Sequence, residues 1–230
     1  FYEAPNRKEL WNLLDETCAE NCDYVVIPHN SNLSNGYMFE KPDQDELFIQ
    51  STKEPLVEIF QHKGSSECNI NPDDPLCNFE QLPYKDFRSK FQNNFSLSPD
   101  SSFVRDALGN GLLFQERQSA NPFKFGIIAS TDTHLGTPGA VDESSFQGHG
   151  GAGKSFRSSI PEGLPDDIEF NPGGLAVAWA EENSRSSIFN AFKRKEVYGT
   201  SGPRFIVRFF IGDSLDQNLC NNPDNISYAY

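Results

Sequence analysis

Residues 123–134 read FKFGIIASTDTH. The run 123–129 is apolar but for Lys124, and the chain passes without a spacer into Ser130, Thr131, Asp132, Thr133 and His134. A short apolar run bounded by polar residues predicts a buried strand. Two other stretches repeat the pattern: DYVVIP (23–28) gives way to HNSN, and EPLVEIF (54–60) gives way to QHKGSSE. In open parallel sheets and in β/α barrels, ligands collect at the carboxyl ends of the strands. The three polar clusters are therefore expected on one rim.

The rest of the chain supplies the other layers. GLAVAWA (174–180) and RFIVRFFIG (204–212) read as further strands. NRKELWNLLDETCAE (6–20) has Asn6 as an N-cap, with Glu9 three residues on. Its Leu10, Leu13, Leu14 and Cys18 share one helical face. SRSSIFNAFKRKEV (184–197) is an amphipathic helix with Ile188, Phe189 and Phe192 inward and Lys193, Arg194 and Lys195 at the end the helix dipole favours. SFVRDALGNGLLFQERQ (102–118) has a weaker helical pattern, with an interruption expected at GNG, 109–111. Strands alternating with helices predict an α/β protein with a largely parallel sheet. No repeat divides the chain, so 1–230 is read as one domain, with long insertions over about 69–102 and 135–173.

Apolar residues make up 37% of the 230 and Phe alone contributes 20, enough for a folded core. The net charge of −14 repels phosphate backbones, which argues against nucleic-acid binding. No apolar run approaches the roughly 20 residues of a membrane span. The chain starts at Phe1 with neither an initiator Met nor a signal-like segment, and reads as a piece of a longer protein. Five cysteines without regular C-x-x-C pairs make a poor zinc framework. Cys68 and Cys77 bracket a loop short enough for a disulfide, which leans the localisation towards a periplasmic or secreted setting. Sequons stand at Asn32, Asn94 and Asn225.

GHGGAGKS (148–155) spells the G-x-x-x-x-G-K-S of a phosphate-binding loop. Such a loop needs a buried strand before it and a helix after it. AVDESSFQ precedes it and FRSSIPEGLP follows, so both are lacking. A Gly-rich loop, with His149 able to close over a site, is the better reading.

The chemistry is expected on the rim. Asp132 and His134 form a D-x-H pair past a strand, where residues two apart point the same way and can grip one cation. His29 follows another strand end and supplies a third ligand. Lys63 and Arg204 are candidates for holding an anionic substrate group, with Ser66 and Glu67 beside Lys63. Asn30 and Asn32 orient His29 or bind substrate through their amides. Glu181 and Glu182 support the ligands or face water, and His62 is read as a surface residue.

The blocks VVIPHNSNLSNGYMF, EPLVEIFQHKGSSEC, NPFKFGIIASTDTHLGTPGAVDE and GGLAVAWAEENSRSSIFNAFKRKEVYGTSGPRFIVRFF fall in this order between about Leu10 and Cys220. They resemble a bacterial domain-of-unknown-function family related to the PHP (polymerase and histidinol phosphatase) metal-dependent hydrolases. The resemblance implies a distorted β/α barrel holding divalent metals (Zn, Mn or Fe), with water as nucleophile and a phosphorylated small molecule as the substrate class. It places the terminal D-x-H motif on Asp132 and His134, the strand-end ligand on His29, and Glu58 or Gln61 near the rim. PHP proteins open with H-x-H, whereas this chain has four His residues and no such motif. The resemblance thus implies a partial barrel lacking its amino-terminal strands. The alternative is a noncatalytic binding module that keeps the scaffold.

Overall fold

The computed structural model describes residues 4–18, 20, 22–69, 71, 73–78, 99–133, 138–142, 172–221 and 226. Among them the chain forms four α-helices and two small sheets. The expected reading of 148–155, together with His134, His149, Asn94, Asn225 and most of both long insertions, falls outside the described residues.

Helix α1 spans Arg7–Thr17, and Asn6 caps it by accepting the Glu9 N–H at 2.9 Å. The face it buries is not the expected one. Trp11 is its buried residue, while Leu10 is exposed and Leu13 and Leu14 are half-buried. One indole removes more apolar area from water than a leucine, so its orientation sets the helix's roll. Helix α2, Gln44–Lys53, starts on a complete capping box, with the Asp43 side chain on the Glu46 N–H and the Glu46 side chain on the Asp43 N–H.

Strand β1, Leu56–Gln61, is the centre of a three-stranded sheet. It pairs in parallel with β3, Gly126–Ala129, from Leu56 opposite Gly126 to Phe60 opposite Ala129, with a bulge between Glu58 and Phe60. It then doubles back on β2, Gly64–Ser65, in an antiparallel hairpin whose two loop residues are His62 and Lys63. Gly64 holds φ +93°, which a side chain would resist.

Helix α3, Val104–Gln118, runs unbroken through GNG. Gly111 is there for packing: a β-carbon would stand 2.3 Å from Asn121 Oδ1, the same oxygen that accepts the Phe123 N–H. The core cluster joins α3 to the sheet through Val104, Ala107, Val57, Phe123 and Phe39. Phe39 and Phe123 meet edge to face with ring centroids 6.0 Å apart. Burying each of these larger side chains stabilises the fold by roughly 1.5–3 kcal/mol.

The second sheet is the antiparallel pair β4, Leu175–Ala178, and β5, Val197–Thr200, joined by α4, Arg185–Arg194. Strand β5 lies against β3 because residue 199 is glycine. A β-carbon there would come within 2.7 Å of the Ala129 nitrogen.

The described strands thus pair once in parallel and twice antiparallel, in place of the expected largely parallel sheet, and they close no barrel. Two expected strands are absent from the described elements. The segment 23–28 takes no regular structure; among the described residues its backbone bonds are Val26 N–H to Lys53 O and Glu58 N–H to Pro28 O, too few for a ladder. The segment 204–212 takes no regular structure and is tethered by side chains: Tyr198 Oη donates to Phe205 O, and Arg208 stacks 3.8 Å over Trp179. Its Ile206, Phe209 and Ile211 are exposed.

Candidate functional site

The carboxyl ends of β1 and β3 converge, as their parallel register requires. Three residues beyond Gly126–Ala129 the backbone turns at Asp132, which adopts φ +49°, a conformation a non-glycine residue enters only when its surroundings hold it there. The turn aims its carboxylate at the β1–β2 hairpin loop. There Oδ2 meets Gln61 Nε2 at 2.9 Å, His62 Nε2 at 3.1 Å and Lys63 Nζ. Lys63 Nζ also lies 2.7 Å from His62 Nε2. One imidazole nitrogen cannot accept from the ammonium and donate to the carboxylate at once, so this triangle holds two hydrogen bonds, not three.

Burial alone would raise the Asp132 carboxyl. The hydrogen bonds from His62 and Lys63, and the Lys63 charge, outweigh it and hold the group far below the usual carboxylate range. The reading of His62 as a surface residue is corrected here. It is 0% exposed, and Lys63 is 5% exposed. The hairpin loop is covered from far along the chain by Gly173, whose φ is +84° and whose β-carbon, were there one, would sit 3.0 Å from His62 N.

Behind Asp132 lies a second carboxylate. Glu58, on β1, is 6% exposed. Ser130 Oγ donates to its Oε1 and in turn accepts the Asp132 N–H at 3.2 Å. Glu58 Oε2 is buried with no hydrogen-bond partner among the described residues. Burial pushes the Glu58 carboxyl up. The Ser130 bond and the nearness of His29 pull it down, and Asp132 pushes it up again, leaving it raised overall.

His29 directly follows the segment 23–28, exposed and within electrostatic reach of Glu58. Asn30 takes a left-handed turn, φ 51° and ψ 37°, with its Oδ1 buried and unpartnered among the described residues. Asn32 does structural service: its Nδ2 donates to Lys63 O at 3.2 Å, its Oδ1 accepts from Ser66 Oγ at 2.9 Å, and its N–H donates back to that hydroxyl. It clamps the hairpin loop, and its side chain is occupied in doing so. Gln61 divides its amide, with Oε1 accepting the Lys63 N–H at 2.8 Å and Nε2 reaching Asp132. Arg204 is exposed and donates to Gly139 O at 3.0 Å. Glu181 faces solvent and accepts from Arg194 and Ser187.

Of the residues expected on the rim, the structure brings together Glu58, Gln61, Lys63 and Asp132, with Asn32 bracing them. No group of three or more His, Cys, Asp or Glu side chains with metal-holding geometry occurs among the described residues. Imidazole and carboxylate are the donor types that take Zn, Mn or Fe. Sequence reasoning missed His62, Ser130 and Gly173. The one local signal for His62 was QHKG, a two-residue loop followed by glycine.

The hairpin is braced from behind. The Cys68–Cys77 disulfide forms as expected, with Cα atoms 5.4 Å apart, and a second bridge joins Cys18 to Cys22. Cys220 is free and exposed. Arg105 on α3 reaches Glu67 at 2.5 Å and Asp74 at 2.7 Å. No helix among the described residues is long and apolar enough to cross a membrane.

A family model described as "Protein of unknown function (DUF3604)" matches residues 1–230. No curated protein and no solved structure matches.

Proposed function

We propose, for a chain that belongs to the DUF3604 family over residues 1–230, a metal-dependent hydrolase of PHP type acting on a phosphoester of a small molecule. The observation that supports this reading is the pair of carboxylates joined through Ser130, with Glu58 buried within β1 and Asp132 half-buried just past the carboxyl end of the adjacent parallel strand β3. His29, Asp132 and His134 would hold a divalent ion, which would supply an acidified water and polarise the scissile group. The phosphoester class rests on the likeness to PHP enzymes, which is a fold-level analogy.

The chain's own residues then have distinct tasks. Gln61 and His62 orient the Asp132 carboxylate through its Oδ2. Glu58, with Ser130 on Oε1 and its carboxyl raised by burial, is suited to carry a proton on Oε2 at a pH where an exposed glutamate has lost it. Lys63, at the hairpin tip, is the nearby cation for an anionic substrate group. The two disulfides favour an oxidising setting, periplasmic or extracellular.

Metal analysis of the purified protein, calorimetric titration with Mn²⁺ and Zn²⁺, and hydrolysis of p-nitrophenyl phosphate test the reading. Bound metal, lost in Asp132→Ala together with turnover, is the expected result. A metal-free protein that takes up neither ion, or an Asp132→Ala variant that binds as the parent does, overturns it. Metal binding without turnover of any phosphoester would favour the binding-module reading.

A further inference from the structure

Among the described residues, large apolar side chains are exposed singly or in pairs, except in the segment 204–212. There Phe205, Ile206, Val207, Phe209 and Ile211 are all exposed, the last at 88%. Scattered exposure needs no explanation, whereas a contiguous run marks an interaction surface. The backbone of this run is held lightly. Tyr198 Oη donates to Phe205 O at 2.8 Å and accepts the Val207 N–H at 3.3 Å. In an extended chain the N–H and C=O of residues 205 and 207 point to one side, and those of 206 and 208 to the other. Tyr198 thus holds one edge and leaves the edge of Ile206 and Arg208 open. Arg204 and Arg208 are the segment's only charges, in a chain of net charge −14, and neither meets a carboxylate among the described residues. Arg204 donates to Gly139 O at 3.0 Å, and Arg208 lies 3.8 Å over the Trp179 ring. Stacking occupies the face of a guanidinium and leaves its N–H edge for a carboxylate.

We propose that 204–212 is an acceptor strand for an extended segment of another polypeptide, one with carboxylates four positions apart that meet Arg204 and Arg208 and apolar side chains between them. A lipid surface would take the exposed side chains but offers nothing to backbone N–H and C=O groups, and an unpaired peptide group is costly in hydrocarbon. A polypeptide strand supplies those groups, and strand addition to an open edge is a recurring mode of peptide recognition. A second copy of the same segment fits badly. Residues 204 and 208 share one face of an extended strand, and two-fold antiparallel pairing keeps like faces together. The guanidiniums of both copies would then crowd one face with no carboxylate between them, and like charges across a strand pair are destabilising. Acidic side chains at the same spacing on the incoming strand stand opposite Arg204 and Arg208, and the apolar residue between them covers Ile206. Phe205, Val207, Phe209 and Ile211 fall on the other face, where alternate apolar side chains of the partner cover them.

Fluorescence anisotropy with two short capped peptides that alternate valine and threonine tests the proposal. One carries a pair of glutamates four positions apart, and the other carries lysines at the same places. The glutamate peptide is expected to bind wild type about tenfold or more tightly than the lysine peptide, because each cross-strand pair changes from attraction to repulsion. Arg204→Glu with Arg208→Glu should invert that preference. N-methylation of alternate amides in the glutamate peptide should abolish binding on the edge that faces 204–212 and spare it on the other, since it removes the ladder donors of one edge at a time. Equal affinity for the two peptides, binding of neither, or binding that survives methylation of both edges overturns the proposal. A wild-type dimer in light scattering that becomes monomeric in Ile206→Asp overturns it too, by giving the surface to a second copy. So does sedimentation of the wild type with phosphatidylglycerol vesicles that is lost in Ile206→Asp with Phe209→Asp, which gives it to lipid. Should the double glutamate variant not fold, the preference of the wild type between the two peptides decides.

Discussion

Gly173 lies flat against Thr131: a β-carbon at position 173 would stand 2.7 Å from Thr131 Cα and 2.8 Å from Ser130 O. The contact locks the lead-in of β4 onto the turn that carries Ser130 and Asp132, and the neighbouring Gly174 N–H adds a bond to Ser130 O at 2.7 Å. Gly173→Ala faces both this clash and a φ of +84°, and neither can be relieved by a side-chain rotation. A loss of about 2 kcal/mol or more is expected, read as a lower denaturant midpoint at unchanged slope. Gly109→Ala is the control. It sits inside α3 with open space around it, and it should be neutral or stabilise by up to about 1 kcal/mol. Equal stability of Gly173→Ala and the parent would mean that the 173–174 segment does not cover the site.

Asp132 and Lys63 hold each other in a site where neither is fully solvated. Removing one leaves the other's charge buried, so Asp132→Asn is expected to cost roughly 2–3 kcal/mol, allowing for the partial exposure of the aspartate. Lys63→Met together with Asp132→Asn should cost less than the sum of the two, because the double variant strands no charge. Strict additivity in the double-mutant cycle would break the pairing. The carboxyl of Asp132 is depressed in the folded protein, so its contribution is complete above the ordinary carboxylate range and is lost as the pH falls well below it.

Much of the helical and strand content was legible locally, and the failures have physical causes. Asn6, the run LVEIFQ and the run GIIA announce α1, β1 and β3 directly. Helix α2 carries its apolar residues Leu47, Phe48 and Ile49 consecutively, so no helical period shows, although the Asp43–Glu46 capping box marked its start. RFIVRFFIG has the composition of a strand, yet a strand exists only where another backbone completes its ladder, and among the described residues none does so for 204–212. The candidate site divides the same way. Strand ends pointed to Gln61, Lys63 and Asp132, because the parallel register brings two carboxyl ends side by side. The burial of His62 depends on Gly173, which no local pattern couples to it.

The Cys68–Cys77 bridge closes the segment directly after Ser66, whose N–H is bonded to Ile59 O and whose carbonyl accepts the Val104 N–H. Closing so short a loop constrains the unfolded chain by about 2–3 kcal/mol. Cys68→Ser with Cys77→Ser should therefore lower stability by about that amount. Because Arg105 ties the same segment to α3 through Glu67 and Asp74, the hairpin should stay formed at moderate temperature. Amide exchange checks this: the Lys63 and Ser66 amides should exchange faster in the double serine variant, while α1 amides should not. Uniform acceleration across both regions would show that the bridge acts on global stability alone.

Glu54 offers a pH test outside the site. It ends α2, it is 5% exposed, and its Oε2 accepts from Gln50 Nε2 at 3.0 Å. Burial pushes its carboxyl up. The Gln50 bond and the Arg7 charge recover part of that rise. A group whose carboxyl is raised on folding binds its proton more tightly in the native state than in the unfolded chain. Its contribution is therefore fully present below the unfolded value and is lost as the pH climbs through the folded one. Glu54→Gln keeps the shape and removes the ionisation, so the variant should match wild type in acid and become the more stable of the two towards neutral pH. A gap on the order of 1 kcal/mol is expected, measured by urea unfolding at a series of pH values. A gap that is constant with pH, or one that widens towards acid, would show that Glu54 is ionised and well paired in the folded protein.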